Sequence, residues 1–148
     1  MCRYGEHRYK EHYACFACRK AWKPLGASTA SARPATTTCP DCGGPTAAMG
    51  LDFAPPKRRD EKAWSTVAAL YEVGITFHSC GCSGPGYRPR APGELAAFYR
   101  TQLDRYRDSL KEAEARVRGG STHPDSVEAV PYWRGRIALL EQALAQLR

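Results

Sequence analysis

The stretch HYACFACRKAW (residues 12–22) and its counterpart TTCPDCGG (residues 37–44) decide the fold. Each contains a Cys-x-x-Cys pair, and the full spacing is Cys15-x2-Cys18-x20-Cys39-x2-Cys42. Two thiolates separated by two residues can grip one ion from a tight turn, and two such turns complete a tetrahedron of sulfur. A spacer of about 15–20 residues between the pairs fits the zinc template. Cys15, Cys18, Cys39 and Cys42 are therefore the expected metal ligands, with one structural Zn2+ per chain. Protein fills all four positions, which leaves no open coordination site for catalysis. Short strands are expected on either side of each pair, HYACFAC and RKAWKPL around the first, TTTCPDC and GGPTAAM around the second. Gly43, directly after Cys42, can take the positive φ that a tight turn needs. Metal binding is expected to contribute folding free energy on the order of 10 kcal/mol in so small a module.

This arrangement resembles the zinc-ribbon family over roughly residues 10–50, with CPDCGG the nearest match. Arg19 departs from the pattern, because it stands where a glycine often follows the second cysteine. Rubredoxin-like iron sites also use four thiolates, and the long polar insert between the pairs favours zinc. The middle region, MGLDFAPPK through FHSCGCSGPGYRP, is similar to small uncharacterised bacterial zinc-ribbon proteins, a resemblance that implies no activity.

Composition agrees with a small binding module. The chain has 148 residues, 43% of them apolar and 25% charged, which suits a globular protein rather than a disordered one. The formal net charge is +7. Residues 1–62 carry eleven Lys and Arg against six Asp and Glu, whereas residues 91–148 carry nine against eight. The excess lies with the paired cysteines and favours polyanionic partners. The first residues, MCRYGEHRYKEHY, include no apolar core of a signal peptide, and no apolar run is long enough to span a membrane. The cytoplasm is the expected compartment. Thiols stay reduced there, so seven cysteines point to metal ligation before disulfides.

The fold class expected is α+β, in three parts: a zinc ribbon (1–50), a helix–strand segment with a basic Gly/Pro loop (51–90), and an antiparallel helical hairpin (91–148). GASTASARPATTT, between the cysteine pairs, reads as a mobile loop. LDFAPPKRRDEK (51–62) reads as a connector. A helix is predicted from Asp60 to Val73, capped by Asp60, with Trp64, Val67, Leu70 and Tyr71 on one face and Gly74 as its stop. ITFH (75–78) reads as a strand, and CGCSGPGYRPRAPG as loop. In the last third, Leu95, Tyr99, Leu103, Tyr106, Leu110, Ala113 and Val117 form one stripe. Val130, Trp133, Ile137, Leu140, Leu144 and Leu147 form a second, and Gly119-Gly120 lies between them. At 1.5 Å per residue, 93–118 would span roughly 39 Å. Pro131 is expected to start or kink the second helix.

Three further features bear on function. His78, Cys80 and Cys82 point to one side if the strand continues. They could form a second metal site with Cys2, His7 or His12 as a distant fourth ligand, but without a clear fourth the plainer reading is packed or ordinary thiols. Around the first pair, Arg19, Lys20 and Lys23 interleave with Tyr13, Phe16 and Trp22. Lys57, Arg58 and Arg59 follow, and then Tyr87, Arg88 and Arg90 in GPGYRPR. Cations bind phosphates and exposed aromatics stack on unpaired bases, so these residues form the candidate nucleic-acid surface. Some of the aromatics must also serve as the ribbon's core.

RNA, DNA or a ribonucleoprotein is the first partner class. A protein partner, or self-association through the helical hairpin, is the second. A thiol-redox role for Cys80 and Cys82 comes third. No nucleotide-binding loop, His-Glu-x-x-His or nucleophile elbow is present, and a noncatalytic role is expected.

Overall fold

A computed structural model describes residues 11–24, 38–78 and 84–147. The insert between the cysteine pairs (25–37), Cys2, His7, Cys80 and Cys82 lie outside the described residues. Contacts divide the chain into two units, Met1–Pro92 and Gly93–Arg148. The α+β class holds: among the described residues the first unit has a small antiparallel sheet and one helix, and the second a helix pair.

Three strands build the sheet, β1 (His12–Cys15), β2 (Lys20–Trp22) and β3 (Ala47–Gly50), in the order β2-β1-β3. β1 and β2 form a hairpin around the first cysteine turn, with Tyr13 opposite Trp22 and Cys15 opposite Lys20. The central strand buries Tyr13, Ala14 and Cys15, because it is covered on both faces. The second cysteine turn is closed by a single bridge between Thr38 and Pro45 rather than by two full strands, and the chain then returns as β3 beside β1.

Helix α1 (Glu61–Glu72) runs as the sequence predicts. The Asp60 carboxylate accepts a hydrogen bond from the Ala63 N–H at 3.0 Å, satisfying one of the free donors at the helix start. After the C-cap Val73, Gly74 takes φ 71°, a turn that favours glycine. Trp64, Val67 and Leu70 are buried at i, i+3 and i+6, whereas Tyr71 is partly exposed and leans on Phe16 with ring centroids 5.7 Å apart.

The core joins segments that the sequence keeps apart. Ala14, Ala47, Met49, Phe53, Trp64 and Val67 form one buried cluster, with Phe16, Ala21 and Phe77 against it. The segment read as a connector thus supplies a core residue, Phe53. Its ring centroid lies 5.0 Å from that of Phe77 and 6.4 Å from that of Trp64.

Residues 75–78 form no regular strand, contrary to expectation. They dock on the end of β3 through two bonds, Phe77 N–H to Met49 O (2.8 Å) and Asp52 N–H to Phe77 O (3.2 Å). Gly50 permits this approach. A Cβ there would lie 2.6 Å from the His78 nitrogen, and its φ is 98°.

In the second unit, α2 (Leu95–Arg118) and α3 (Pro124–Gln146) form the helical hairpin. Arg107 pairs with Glu141 and Arg134 with Glu114, each at 2.9 Å, so moving toward the turn on one helix moves toward it on the other. Tyr106 and Trp133 stack between them with centroids 5.2 Å apart. Leu103, Ala113 and Leu140 are buried on the predicted stripes, and Gly119 and Gly120 end α2.

Of the two alternatives for Pro131, a start of the second helix is corrected here: Pro131 lies inside α3. α3 begins seven residues earlier, with Pro124 at its first turn and His123 capping. Proline is well suited to that first turn, where its missing N–H would be unpaired in any case. Pro131 lies on the exposed side, as does Val127, whose carbonyl loses its helical donor to the proline ring. Among the described residues, no helix is long and apolar enough to cross a membrane.

Candidate metal centre

The four cysteines converge. Cys15 ends β1 and Cys18 lies in the turn that follows, while Cys39 and Cys42 sit in the second turn. Their sulfur atoms all lie within 4.8 Å of one another. The Sγ atoms of Cys15 and Cys42 are 3.7 Å apart, and those of Cys18 and Cys39 are 3.8 Å apart. A disulfide requires about 2.05 Å. A metal–sulfur bond of about 2.3 Å places tetrahedral sulfurs about 3.8 Å apart. These two separations match edges of such a tetrahedron, so the four sulfurs are arranged to hold a metal ion, and all four cysteines are free thiols. Among the described residues this is the one group of three or more potential ligands.

The local backbone explains why the sulfurs meet. The Cys18 N–H points to Cys15 Sγ at 3.4 Å, and the Gly44 N–H points to Cys42 Sγ at the same distance. Such bonds orient a ligand and stabilise its charge. In the second turn, the Gly43 N–H donates to Cys39 O (2.8 Å) and the Cys39 N–H to Gly44 O (2.9 Å). The residue after each second cysteine is left-handed, Gly43 with φ 69° and Arg19 with φ 52°. Arg19 is the sole non-glycine with positive φ among the described residues. It therefore adopts the conformation that glycine would supply.

Protons and a cation compete for this cluster. The adjacent Cys42 sulfur, followed by burial, pushes the Cys18 thiol up to about 12. Burial also raises Cys15. Cys39 is lowered to about 7, chiefly because the Cys42 backbone N–H favours its thiolate. The thiolate of Cys39 is thus favoured, and a bound cation must displace the protons of Cys15 and Cys18.

Basic residues surround the site, several of them in structural contacts. Lys20 forms an ion pair with Asp41, which lies between the second pair of cysteines, and so ties one turn to the other. Arg19 Nη1 bonds Glu61 Oε1 at 2.9 Å. Arg58 Nε donates to Cys18 O at 3.2 Å, which clips the turn before α1 onto the first cysteine turn. Lys57, Arg59 and Lys23 are exposed. Arg88 reaches Thr76 O, and Tyr87 and Arg90 are exposed. Tyr13 is buried and Phe16 is wedged between Trp64 and Tyr71, so both serve the core.

His78 contacts Glu11 through Nε2 and Thr76 Oγ1 through Nδ1 (2.8 Å). His12 bonds Gly50 O through Nδ1 (3.2 Å). Cys80 and Cys82, the other members of the second cluster read from the sequence, fall outside the described residues.

The sequence reading overlooked Asp41, Glu61 and Thr76, which hold Lys20, Arg19 and Arg88. Asp41 alone carried a local signal, its place inside a cysteine pair. Comparison with protein families, with curated proteins and with solved structures finds no match for this chain.

Proposed function

We propose that this is a noncatalytic zinc protein of the zinc-ribbon type that binds nucleic acid through the cationic surface of its first unit. Zinc is preferred over iron because the cysteine turns are joined by a long polar insert, and four protein sulfurs leave no position for a substrate. Reduced thiols suit the cytoplasm.

The observation that carries the reading is the exposed Lys57–Arg58–Arg59 turn, fastened to the metal-binding turn by the Arg58–Cys18 bond. Residues 1–92 also carry thirteen Lys and Arg against seven Asp and Glu, and residues 93–148 nine against eight. A rigid cationic edge neutralises phosphates and releases counterions, which makes binding steeply salt-dependent.

Arg58 has a structural bond, so the test replaces Lys57 and Arg59 only. Lys57→Ala/Arg59→Ala should weaken RNA or DNA binding and reduce the slope of log affinity against log salt by about two. Affinity indifferent to salt would rule the reading out.

A second reading is an adaptor with zinc as scaffold. It draws support from α3, where Tyr132 is 57% and Leu139 42% exposed. A salt-resistant protein partner that is lost on replacing those two residues would favour it.

A further inference from the structure

The loop of residues 84–90 is fixed rather than loose. Arg88 Nε and Nη2 both donate to Thr76 O, at 3.1 and 3.0 Å, and Nη1 donates to Tyr87 O at 3.0 Å. The guanidinium carbon also lies 6.0 Å from the centre of the Phe77 ring. Phe77 is itself anchored, through its N–H to Met49 O and its ring against Phe53. Pro89 is buried, and Gly84 and Gly86 take φ 73° and 77° at the bends. Arg88 therefore works as a clamp that ties the loop to the core.

On this clamped loop Tyr87 stays 65% exposed, the highest exposure of any aromatic among the described residues. Arg90, three positions on, is exposed as well. An aromatic residue on a fixed backbone loses less freedom on binding than one on a loose loop. A tyrosine face and a cation on one loop suit a base and its phosphate. Duplexes hide base faces inside the stack, and only unpaired bases can offer one.

We infer that Tyr87 stacks on an unpaired base and directs the first unit to single-stranded nucleic acid, with Arg88 as its positioning residue. This rests on the nucleic-acid reading above and names the ligand class of that surface.

The test uses the full zinc-loaded chain and fluorescence anisotropy at low salt. Probes are mixed-sequence single-stranded RNA, single-stranded DNA, and duplexes of the same sequences. Tyr87→Ala should weaken single-strand binding about tenfold, equivalent to ~1.4 kcal/mol, within the ~1–3 kcal/mol of a base–aromatic stack. It should leave duplex binding and the unfolding temperature unchanged.

Tyr87→Phe keeps the ring and should bind as the parent does. Arg88→Lys, which has no planar fork to span Thr76 O, should lose part of the same single-strand preference. A preference for RNA or for DNA assigns the source, and either supports the inference. Unchanged single-strand affinity in Tyr87→Ala, or an equal loss on duplex, overturns it and leaves the salt-dependent surface standing. Absence of salt-dependent binding to every probe overturns both.

Discussion

Arg19 occupies a backbone conformation that costs an L-residue with a Cβ roughly 1–2 kcal/mol. It holds that conformation because the chain must turn from Cys18 into β2, and its side chain meets Glu61 in an exposed ion pair worth about 0–1 kcal/mol. Arg19→Gly and Arg19→Ala both remove the ion pair, but only glycine removes the strain. The glycine variant should be more stable than the alanine variant by about 1 kcal/mol in urea unfolding of the metal-loaded protein. The reverse order would contradict the assigned turn. The sequence flagged this position, although φ itself follows from the closed turn. The thiols carry a second residue-scale prediction. Thiolate is the ligand, so metal affinity falls as pH drops through about 7 and Cys39 is reprotonated. Above that pH, binding should still release at least the protons of Cys15 and Cys18, both raised. Titration calorimetry in buffers of different ionisation enthalpy measures this release, and binding without proton release would count against the site.

Among the elements, α1 was the most legible, because its signals are local: Asp60 as cap, an apolar face at helical spacing, and Gly74 as stop. The stripes of α2 and α3 were legible for the same reason. What sequence could not supply was long-range. Phe53 looks like linker until Trp64 and Phe77 close on it, and residues 75–78 read as a strand until Gly50 brings them against β3. A start of α3 at Pro131, one of the two alternatives read from the sequence, fails because Pro124 opens the helix instead, at the first turn that suits proline. The proline carries its own prediction. Pro131→Ala restores a donor for the Val127 carbonyl at an exposed position and should stabilise α3 by about 1–3 kcal/mol. Slower amide hydrogen exchange along residues 127–140 would report it. Unchanged or faster exchange would mean that the helix is already adapted to the ring.

At the scale of the whole molecule, the chain's two units are stabilised differently. Among its described residues the first has a small sheet, one helix and a limited core of few large side chains, and small domains of this kind commonly depend on a metal. The second is a helix pair with its own ion pairs and contains no cysteine. The four ligands, and with them the centre of the candidate site, were readable directly from spacing. The surface around it was readable only in part, since charge counts do not reveal which cations are engaged in holding the fold. The central claim is that four thiolates on one ion hold the first unit together. Its most direct test is hydrogen exchange by mass spectrometry on the reduced full chain, with the metal content measured before and after chelation. The account predicts one zinc per chain, and loss of protection in residues 12–22 and 38–50 once it is removed, while residues 95–146 keep theirs. A reduced protein that holds no metal and still protects residues 12–22 and 38–50 would contradict it.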